Sequence, residues 1–550
     1  MQKRIILSAV LLLGLSLRLY GINFGLPYTY HADEPIIVNH AMAYGTGDLN
    51  PYFFAIPPLV SYILFIMYGA CFLIGRALHI FNSPENFAIS FLRDPTLFYL
   101  IARVFFGAIL GSATIAAVYL LGKRLYSEKA GLLSALFFAV AFVHVQNSHY
   151  VYVDIAMVFF IVLTCLAVLG IVRTGSMKSY IVCGIFAGLA TAAKYNASMV
   201  FIVVFFAHLY GNKPRGMRKI ALAFCAMCAT FIICNPYSIL DIRNFIDGIV
   251  TQAGTASGLG LLYHLRYSLV EGLGLFLVFF GIAGILHSVI KKRKVDLILL
   301  SFPIIFYISL GFASQPHERY ILPLVPFLSL YAAIFICENI KNIKLAVLLV
   351  VLIILPNLGR SIYSDYLFTQ DDTRTIARRW IEENIKVGSR IAMEHSFFCP
   401  RLNQIKEQVE EKASTYDYAD KIRRNRIDLA IGLAEEKKPY YFLFYLQDRP
   451  ILNAKFMFES PQIGFSLSEI KNKGIGFVVL HTDAENAVRR GFLNTLENNA
   501  TLVKEFSPYR DKGKKYSEDI IVQTGGPFLG RELFSRERNG YLIKIFKIKG

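Results

Sequence analysis

Long apolar runs recur through residues 1–360, with short basic clusters standing between them. Each run approaches the roughly 20 apolar residues that a helix needs to cross a bilayer. Such a chain has few ways to fold, because backbone polar groups in lipid must be satisfied within helices or closed barrels. The expected class is a polytopic α-helical membrane protein. Composition agrees, with 55% of the 550 residues hydrophobic and 14% aromatic. The formal charge of +18 would point to nucleic acid only if the basic residues shared one surface. They are dispersed between apolar runs, as loop-charge bias produces, so no nucleic-acid partner is expected. Of the eight cysteines only Cys399 lies in polar sequence, and no spacing reads as a zinc site or a disulfide framework.

Charge also orders the spans. Met1-Gln-Lys-Arg4 precedes a first span at 5–21, read as retained because Arg18, Tyr20 and Asn23 follow it in place of a small-residue cleavage site. Further crossings are expected at 97–121, 130–149, 155–172, on both sides of Lys194-Tyr-Asn196, and at 220–234, 268–290 and 297–312. Two more run from Arg319 to Lys341 and from Lys344 to Gly359. The run 59–80 decides the bookkeeping. If it does not cross, Lys123/Arg124, Arg173/Lys178, Lys213 to Lys219, Lys291 to Lys294 and Lys341/Lys344 all fall on one side, as the positive-inside rule demands. Pro57-Pro58 then opens a juxtamembrane helix. This gives about 11 transmembrane helices with a cytoplasmic N-terminus, in a plasma or inner membrane.

After Arg360 the composition turns polar, dividing the chain into a membrane domain at 1–360 and a soluble domain at 361–550. Strand-like runs at 390–393, 440–446, 476–481 and 541–548 alternate with helical segments at 373–385 and 467–472. That pattern predicts an α/β or α+β domain, which span parity puts outside. It holds no Gly-rich phosphate loop and no metal-ligand spacing.

Under this topology Asp33-Glu34, Asp154, Lys194 and Arg319-Tyr320 collect at the outer leaflet. Taken singly, Lys194 and Arg319 read as snorkelling residues and Asp154 as a helix N-cap. Arg103 either pairs with a carboxylate of the site or snorkels. Two acids and two bases at one depth are harder to dismiss, since each needs a partner or water. Together they suit an anionic lipid-phosphate substrate, with cations for the phosphate and a carboxylate for an attacking hydroxyl. The competing reading is a lipid or sugar transporter or flippase without transferase chemistry. It predicts repeated halves with interrupted helices, and no internal symmetry of that kind is visible.

Arg18-Leu-Tyr, His31-Ala-Asp-Glu34, Gly47-Asp-Leu-Asn-Pro51, Pro57-Pro58-Leu59, Arg103, Gly122-Lys-Arg-Leu125, Ser148-His-Tyr150 with Asp154, Lys194-Tyr-Asn196 and Arg319-Tyr-Ile-Leu-Pro323 resemble glycosyltransferase family 39. That family, within the GT-C superfamily, holds the protein O-mannosyltransferases and the lipid A aminoarabinose transferases. The resemblance covers residues 1–210 well, is weaker to 335 and stops by 360. It implies inverting transfer of a sugar from a polyprenyl-phosphate carrier at the outer membrane face, to a lipid, glycan or protein acceptor. Asp33 would match the catalytic carboxylate, with Glu34 supporting it and Asp154 as a third acid. Lys194 would match the residue holding the carrier phosphate, assisted by Arg319, Tyr320 and Arg103. His31, Tyr195 and His317 are expected to line the substrate. No cofactor is required: a single Asp154 in the second outer loop leaves a divalent metal allowed but not obligatory.

Overall fold

The computed structural model describes residues 2–31, 33–211, 216–253, 260–312, 317–394, 397–414, 421–434, 436, 438–447, 461–481, 487–511 and 532–549. Lys213, Arg215 and the turn at 313–316 lie outside the described residues.

Helices form where the apolar runs lie. Six described helices are long and apolar enough to cross a membrane: Leu59–Ala77, Thr96–Leu125, Val153–Thr174, Met217–Cys234, Glu318–Asn339 and Ile343–Asn384. Gly260–Leu273 and Leu275–Ile290, bent by 114°, make a seventh if taken as one span. The first expected span is the 18-residue helix Gln2–Leu19, which carries Lys3, Arg4 and Arg18, and the others are shorter or interrupted. The run 130–149 is split into Glu128–Ala139 and Phe142–Asn147. Lys194 divides Met177–Ala193 from Tyr195–Tyr210. Lys294–Leu310 has 17 residues. The helix Ile343–Thr369 continues through the expected domain boundary at 360.

Interrupted helices leave backbone groups that lipid cannot satisfy. One buried side chain repairs two of the breaks. Asn357 donates from Nδ2 to the Leu273 carbonyl at 2.6 Å, at the 114° bend, and to Ile353 at 3.0 Å. Its Oδ1 accepts the Phe142 N–H at 3.4 Å, where the run 130–149 breaks.

Basic side chains of the expected cytoplasmic clusters gather at one end of the bundle. Arg124, Arg173, Arg293 and Lys294 line a single cleft of about 460 Å³. Lys3 and Lys123 both pair with Glu128, and Lys219 donates to the Gly175 carbonyl. Between the first helix and Thr96–Leu125 lie the helices Glu34–Ala43, Leu59–Ala77 and Pro84–Arg93.

The soluble region is an α/β sheet of β1 (Arg390–Met393), β2 (Asn403–Gln404), β3 (Tyr440–Leu446), β4 (Gln462–Ile463), β5 (Phe477–His481), β6 (Ala500–Phe506) and β7 (Ile543–Ile548). The order is β2-β3-β1-β5-β7-β6, with β4 beside β3. β1 runs parallel to β3 and β5, while β7 is antiparallel to β5 and β6. Alternate residues of β5 enter two cores: Val479 packs with Met393 and Ile381, and Val478 and Leu480 with Ile470 and Phe492. Burial on both faces explains why β3 and β5 read as unbroken apolar runs. This domain sits against the segment that follows the first helix, where Tyr30 Oη and Thr375 Oγ1 are 2.8 Å apart and the Arg374 guanidinium lies 4.0 Å over the Tyr30 ring.

Candidate active site

Asp33 precedes the helix Glu34–Ala43, whose first turn holds Pro35. It has helical backbone angles and makes no capping hydrogen bond, so its carboxylate is left for other partners. Oδ2 lies 3.2 Å from Arg319 Nη2, and the Asp33 N–H donates to His31 Nδ1 at 3.2 Å. Burial alone pushes the Asp33 carboxyl up, but Arg319, His31 and the Tyr152 hydroxyl outweigh it and hold the group below the usual carboxylate range.

Asp154 lies inside the first turn of Val153–Thr174, with Tyr152 at the N-cap. It caps nothing, and Oδ1 accepts from Lys194 Nζ at 2.8 Å. Lys194 reaches it because the helix Met177–Ala193 ends there in extended backbone. Lys194 is thus held by a buried acid, a tighter constraint than snorkelling requires. Arg319 is the second residue of the 3₁₀ segment Glu318–Leu324, which contains Pro323.

Two tyrosines join these charges. Arg319 lies 4.4 Å over the Tyr152 ring and Lys194 5.0 Å over the Tyr320 ring, each within cation–π range. Asp33, Asp154, Lys194, Arg319, Tyr152 and Tyr320 therefore form one constellation of two acids, two bases and two phenols. The side chains of Asp33 and Lys194 are both 19% exposed and that of Arg319 13%, whereas Asp154 is fully buried. The expected cation partners and the base are the reachable ones.

Glu34 and Arg103 lie behind this face, and both are fully buried. Arg103 forks onto Glu34 through Nε at 2.8 Å and Nη2 at 2.7 Å, and Nη1 donates to the carbonyls of Ile22 and Phe24. Four of its five N–H donors are thus committed away from the exposed face, which departs from the expectation that it binds phosphate; pairing with a carboxylate of the site, the other expectation, is what the structure has. Glu34 also accepts the Val151 N–H at 2.8 Å. It thereby ties the residue after Asp33 to the strand of chain carrying Tyr152 and Asp154. Removing one partner of such a buried pair costs about 3–5 kcal/mol.

His31 is buried between Tyr150 at 4.3 Å and Tyr152 at 5.8 Å, so it supports the Asp33 backbone and is not open to substrate. His317 stands 5.0 Å from the Tyr320 ring. Tyr195 turns toward Phe231 and Phe245, and no described contact brings it to Asp33. Tyr152 was not singled out from sequence. Aromatic residues near span ends read as interfacial packing, and only its place two residues before Asp154 could have marked it.

A family model described as dolichyl-phosphate-mannose-protein mannosyltransferase matches residues 98–239. That segment contains Arg103, Tyr152, Asp154 and Lys194, but neither Asp33 nor Arg319. No curated protein matches the chain in sequence. Among solved structures, the oligosaccharyltransferase AglB from Archaeoglobus fulgidus, in complex with an inhibitory peptide and a dolichol-phosphate, superposes with a TM-score of 0.51. Identity is 12%, over 97% of this chain and 77% of that one. The apo form of the Archaeoglobus fulgidus oligosaccharyltransferase gives a TM-score of 0.50 at 14% identity with the same coverage. ArnT from Cupriavidus metallidurans bound to undecaprenyl phosphate has a TM-score of 0.49 at 12% identity, covering 98% of this chain and 97% of that one.

The resemblance to the GT-C glycosyltransferases holds. The family match makes the chain a glycosyltransferase, and the fold is that of an integral membrane protein with several apolar helices and an α/β region at its C-terminal end.

Proposed function

We propose that the protein transfers a hexose or pentose from a polyprenyl-phosphate carrier to an acceptor hydroxyl or phosphate at the extracytoplasmic face, with inversion. The observation that carries this reading is the pairing of Asp33 with Arg319 and of Asp154 with Lys194 around Tyr152 and Tyr320. Asp33 is the base. Held as a carboxylate, it is ready to take a proton from the acceptor as the acceptor oxygen attacks the anomeric carbon. The carbon–phosphate-oxygen bond breaks on the opposite side, and the carrier leaves as a phosphate. A phosphate leaving group needs cations more than a general acid, and Lys194 and Arg319 supply them. When the phosphate draws Arg319 toward itself, Asp33 loses the neighbour that lowers its proton affinity, so donor binding strengthens the base.

Asp154 Oδ2 and Arg319 Nε are buried without a hydrogen-bond partner among the described residues, and a polar donor headgroup would satisfy both. Glu34 and Arg103 position the loop that bears Asp33. Each carboxylate of the site already faces a cation, a donor set that does not call for a divalent metal. The AglB structure contains a dolichol-phosphate, a carrier of the class proposed. We assign residues 1–360 to the transferase domain and 361–550 to an extracytoplasmic domain that contacts the loop carrying Asp33.

Lys194 tests the reading. Its contact with the carrier phosphate strengthens as the glycosidic bond breaks, so it acts on the transition state more than on the ground state. Turnover of a polyprenyl-phosphate sugar by purified, folded variants is the measurement. Lys194→Ala should lower turnover by about 10²-fold or more, and Lys194→Arg should retain part of the activity, because charge survives and ammonium geometry does not. An alanine variant as fast as wild type at low and saturating donor removes Lys194 from the site.

A further inference from the structure

The soluble domain gathers a second set of chemistry-bearing side chains that the transfer step does not use. β1 and β5 run parallel, with Met393 paired to Val479, so their carboxyl ends lie side by side. Glu394 follows β1 directly, and its N–H donates to the Val479 carbonyl at 3.3 Å. His481 closes β5. Cys399 folds back over the same edge, its Sγ donating to Val479 at 3.7 Å. All three side chains are buried, and one ligand atom from each lies within 4.8 Å of the other two. The carboxyl edge of parallel strands is where open α/β sheets place their ligands.

We propose that Glu394, Cys399 and His481 bind a transition-metal ion of the zinc class. The donor set selects the metal: thiolate and imidazole favour zinc, whereas magnesium and calcium take oxygen ligands. With zinc–ligand bonds of 2.0–2.3 Å, the edge of a tetrahedral site is about 3.5 Å, so the ligand atoms, all within 4.8 Å of one another, need only small shifts: Glu394 Oε2 and His481 Nδ1, now in direct contact, move apart to admit the ion. The thiol proton leaves on binding, and the imidazole proton moves from Nδ1 to Nε2. Thiolate and carboxylate balance the charge of a divalent ion, and water takes the fourth position.

The surroundings suit such a site. Arg489 Nε lies 3.1 Å from Glu394 Oε1, while Oε2 accepts the His481 backbone N–H at 2.9 Å and touches His481 Nδ1, which turns it toward the other two ligands. Ligating carboxylates are commonly held this way by an outer partner. The Phe398 ring stacks on His481 with centroids 4.5 Å apart and planes 12° from parallel, which fixes the imidazole plane. Linear spacing could not reveal this site, since Glu394 and His481 are 87 residues apart and only the parallel pairing unites them. The turn bearing Cys399 also reaches the transferase loop. Arg374 donates to the Phe397 carbonyl, and Arg401 Nη1 donates to Thr29 Oγ1 at 3.1 Å. A metal here would fasten the segment that braces the chain just before Asp33.

The test uses the full chain, purified in detergent without chelator. Elemental analysis after zinc addition and desalting should find about one zinc per chain. Chelation should remove it and lower the melting temperature, and zinc should restore both. Cobalt substitution should give a thiolate-to-cobalt charge-transfer band. Cys399→Ala and His481→Ala should each weaken zinc binding at least about tenfold, while Lys194→Ala leaves metal content unchanged. A zinc content below about a tenth of an equivalent in the wild type overturns the proposal. So does an unchanged content in Cys399→Ala, a mild substitution that stands as the deciding variant if His481→Ala does not fold.

Discussion

Asp33 is subject to two opposed demands. To accept a proton it needs basicity, yet Arg319 at 3.2 Å lowers its proton affinity. Donor phosphate resolves the conflict by engaging Arg319, so the variant to examine is one that keeps shape and loses basicity. Asp33→Asn should lower turnover by about 10²–10⁴-fold, the usual contribution of a positioned base, with donor binding largely intact. Donor affinity and single-turnover rate on the same preparation check this; wild-type turnover would pass the role of base to Asp154. The neighbouring His31 gives a pH prediction. Burial pushes its imidazole down to about 4, against the pull of Asp33 and Glu34. A folded value below the unfolded one of about 6.5 means that its contribution is whole above pH ~6.5 and is lost as pH falls toward ~4. That loss reaches about 3 kcal/mol. The depressed Asp33 carboxyl adds a loss of the same sign at lower pH, below its unfolded value of about 3.9. The midpoint of thermal unfolding should therefore fall on acidification from neutral pH. His31→Gln, which keeps an acceptor for the Asp33 N–H, should flatten that slope between pH ~6.5 and ~4.

Two membrane helices are broken, and Asn357 meets a backbone group at each break, with Ser361 and Arg360 donating to carbonyls nearby. Gly274 adopts φ 75° and ψ 147°, a conformation that residues with a Cβ avoid, and the adjacent Leu273 carbonyl is met by Asn357. Asn357→Leu keeps the volume and removes both repairs. Each orphaned buried backbone group costs about 1–3 kcal/mol, so the variant should unfold several degrees earlier in detergent; an unchanged melting curve would show that the breaks satisfy themselves. The sequence made the apolar runs and the strands at 390–393 and 440–446 legible, because hydrophobic length and β-rich composition are local signals. It did not show the break at 140–141, where Ala139-Val-Ala-Phe142 is as apolar as its flanks and only a distant asparagine reveals the need. The site was legible as charges, since Asp33, Asp154, Lys194 and Arg319 are costly near lipid. Their pairing was not: residue order alone leaves Arg103 open to a carboxylate, the interface or a phosphate, and gives Tyr152 no distinguishing mark. The metal-ligating set in the soluble domain shares that cause, because strand pairing is invisible to residue spacing.

At the scale of the whole molecule the charges divide by end. Asp154 and Arg173 sit in the first and last turns of one helix of 22 residues, about 33 Å at 1.5 Å per residue, against a hydrocarbon core of about 30 Å. Lys194, Arg319, Asp33 and the soluble domain share the Asp154 end through direct contacts. Lys3, Lys123, Arg124, Lys219 and Arg293 share the Arg173 end. With the positive-inside rule, the proposed orientation has the Arg173 end in the cytoplasm and the transfer site at the extracytoplasmic face. The run 59–80 is the place where this orientation is most exposed to failure. Leu59–Ala77 is long and apolar enough to cross, yet Tyr68 at its middle donates to the carbonyl of Phe98 at 2.9 Å. Phe98 lies in the first turn of Thr96–Leu125, near the end that contacts the outer loop. A crossing helix would set its midpoint beside the middle of its neighbour, so the contact favours a helix lying along the membrane edge. Single cysteines at Leu78, Lys292 and Lys504, all exposed, replace the exposed Cys225 and Cys337 as targets for a membrane-impermeant thiol reagent on intact cells. Cysteines at 78 and 504 should label without permeabilisation and the one at 292 only after it. Labelling at 504 alone would put 78 in the cytoplasm and turn 59–80 into a crossing. Labelling at 292 alone would place Asp33 in the cytoplasm and remove the extracytoplasmic face from the proposed reaction.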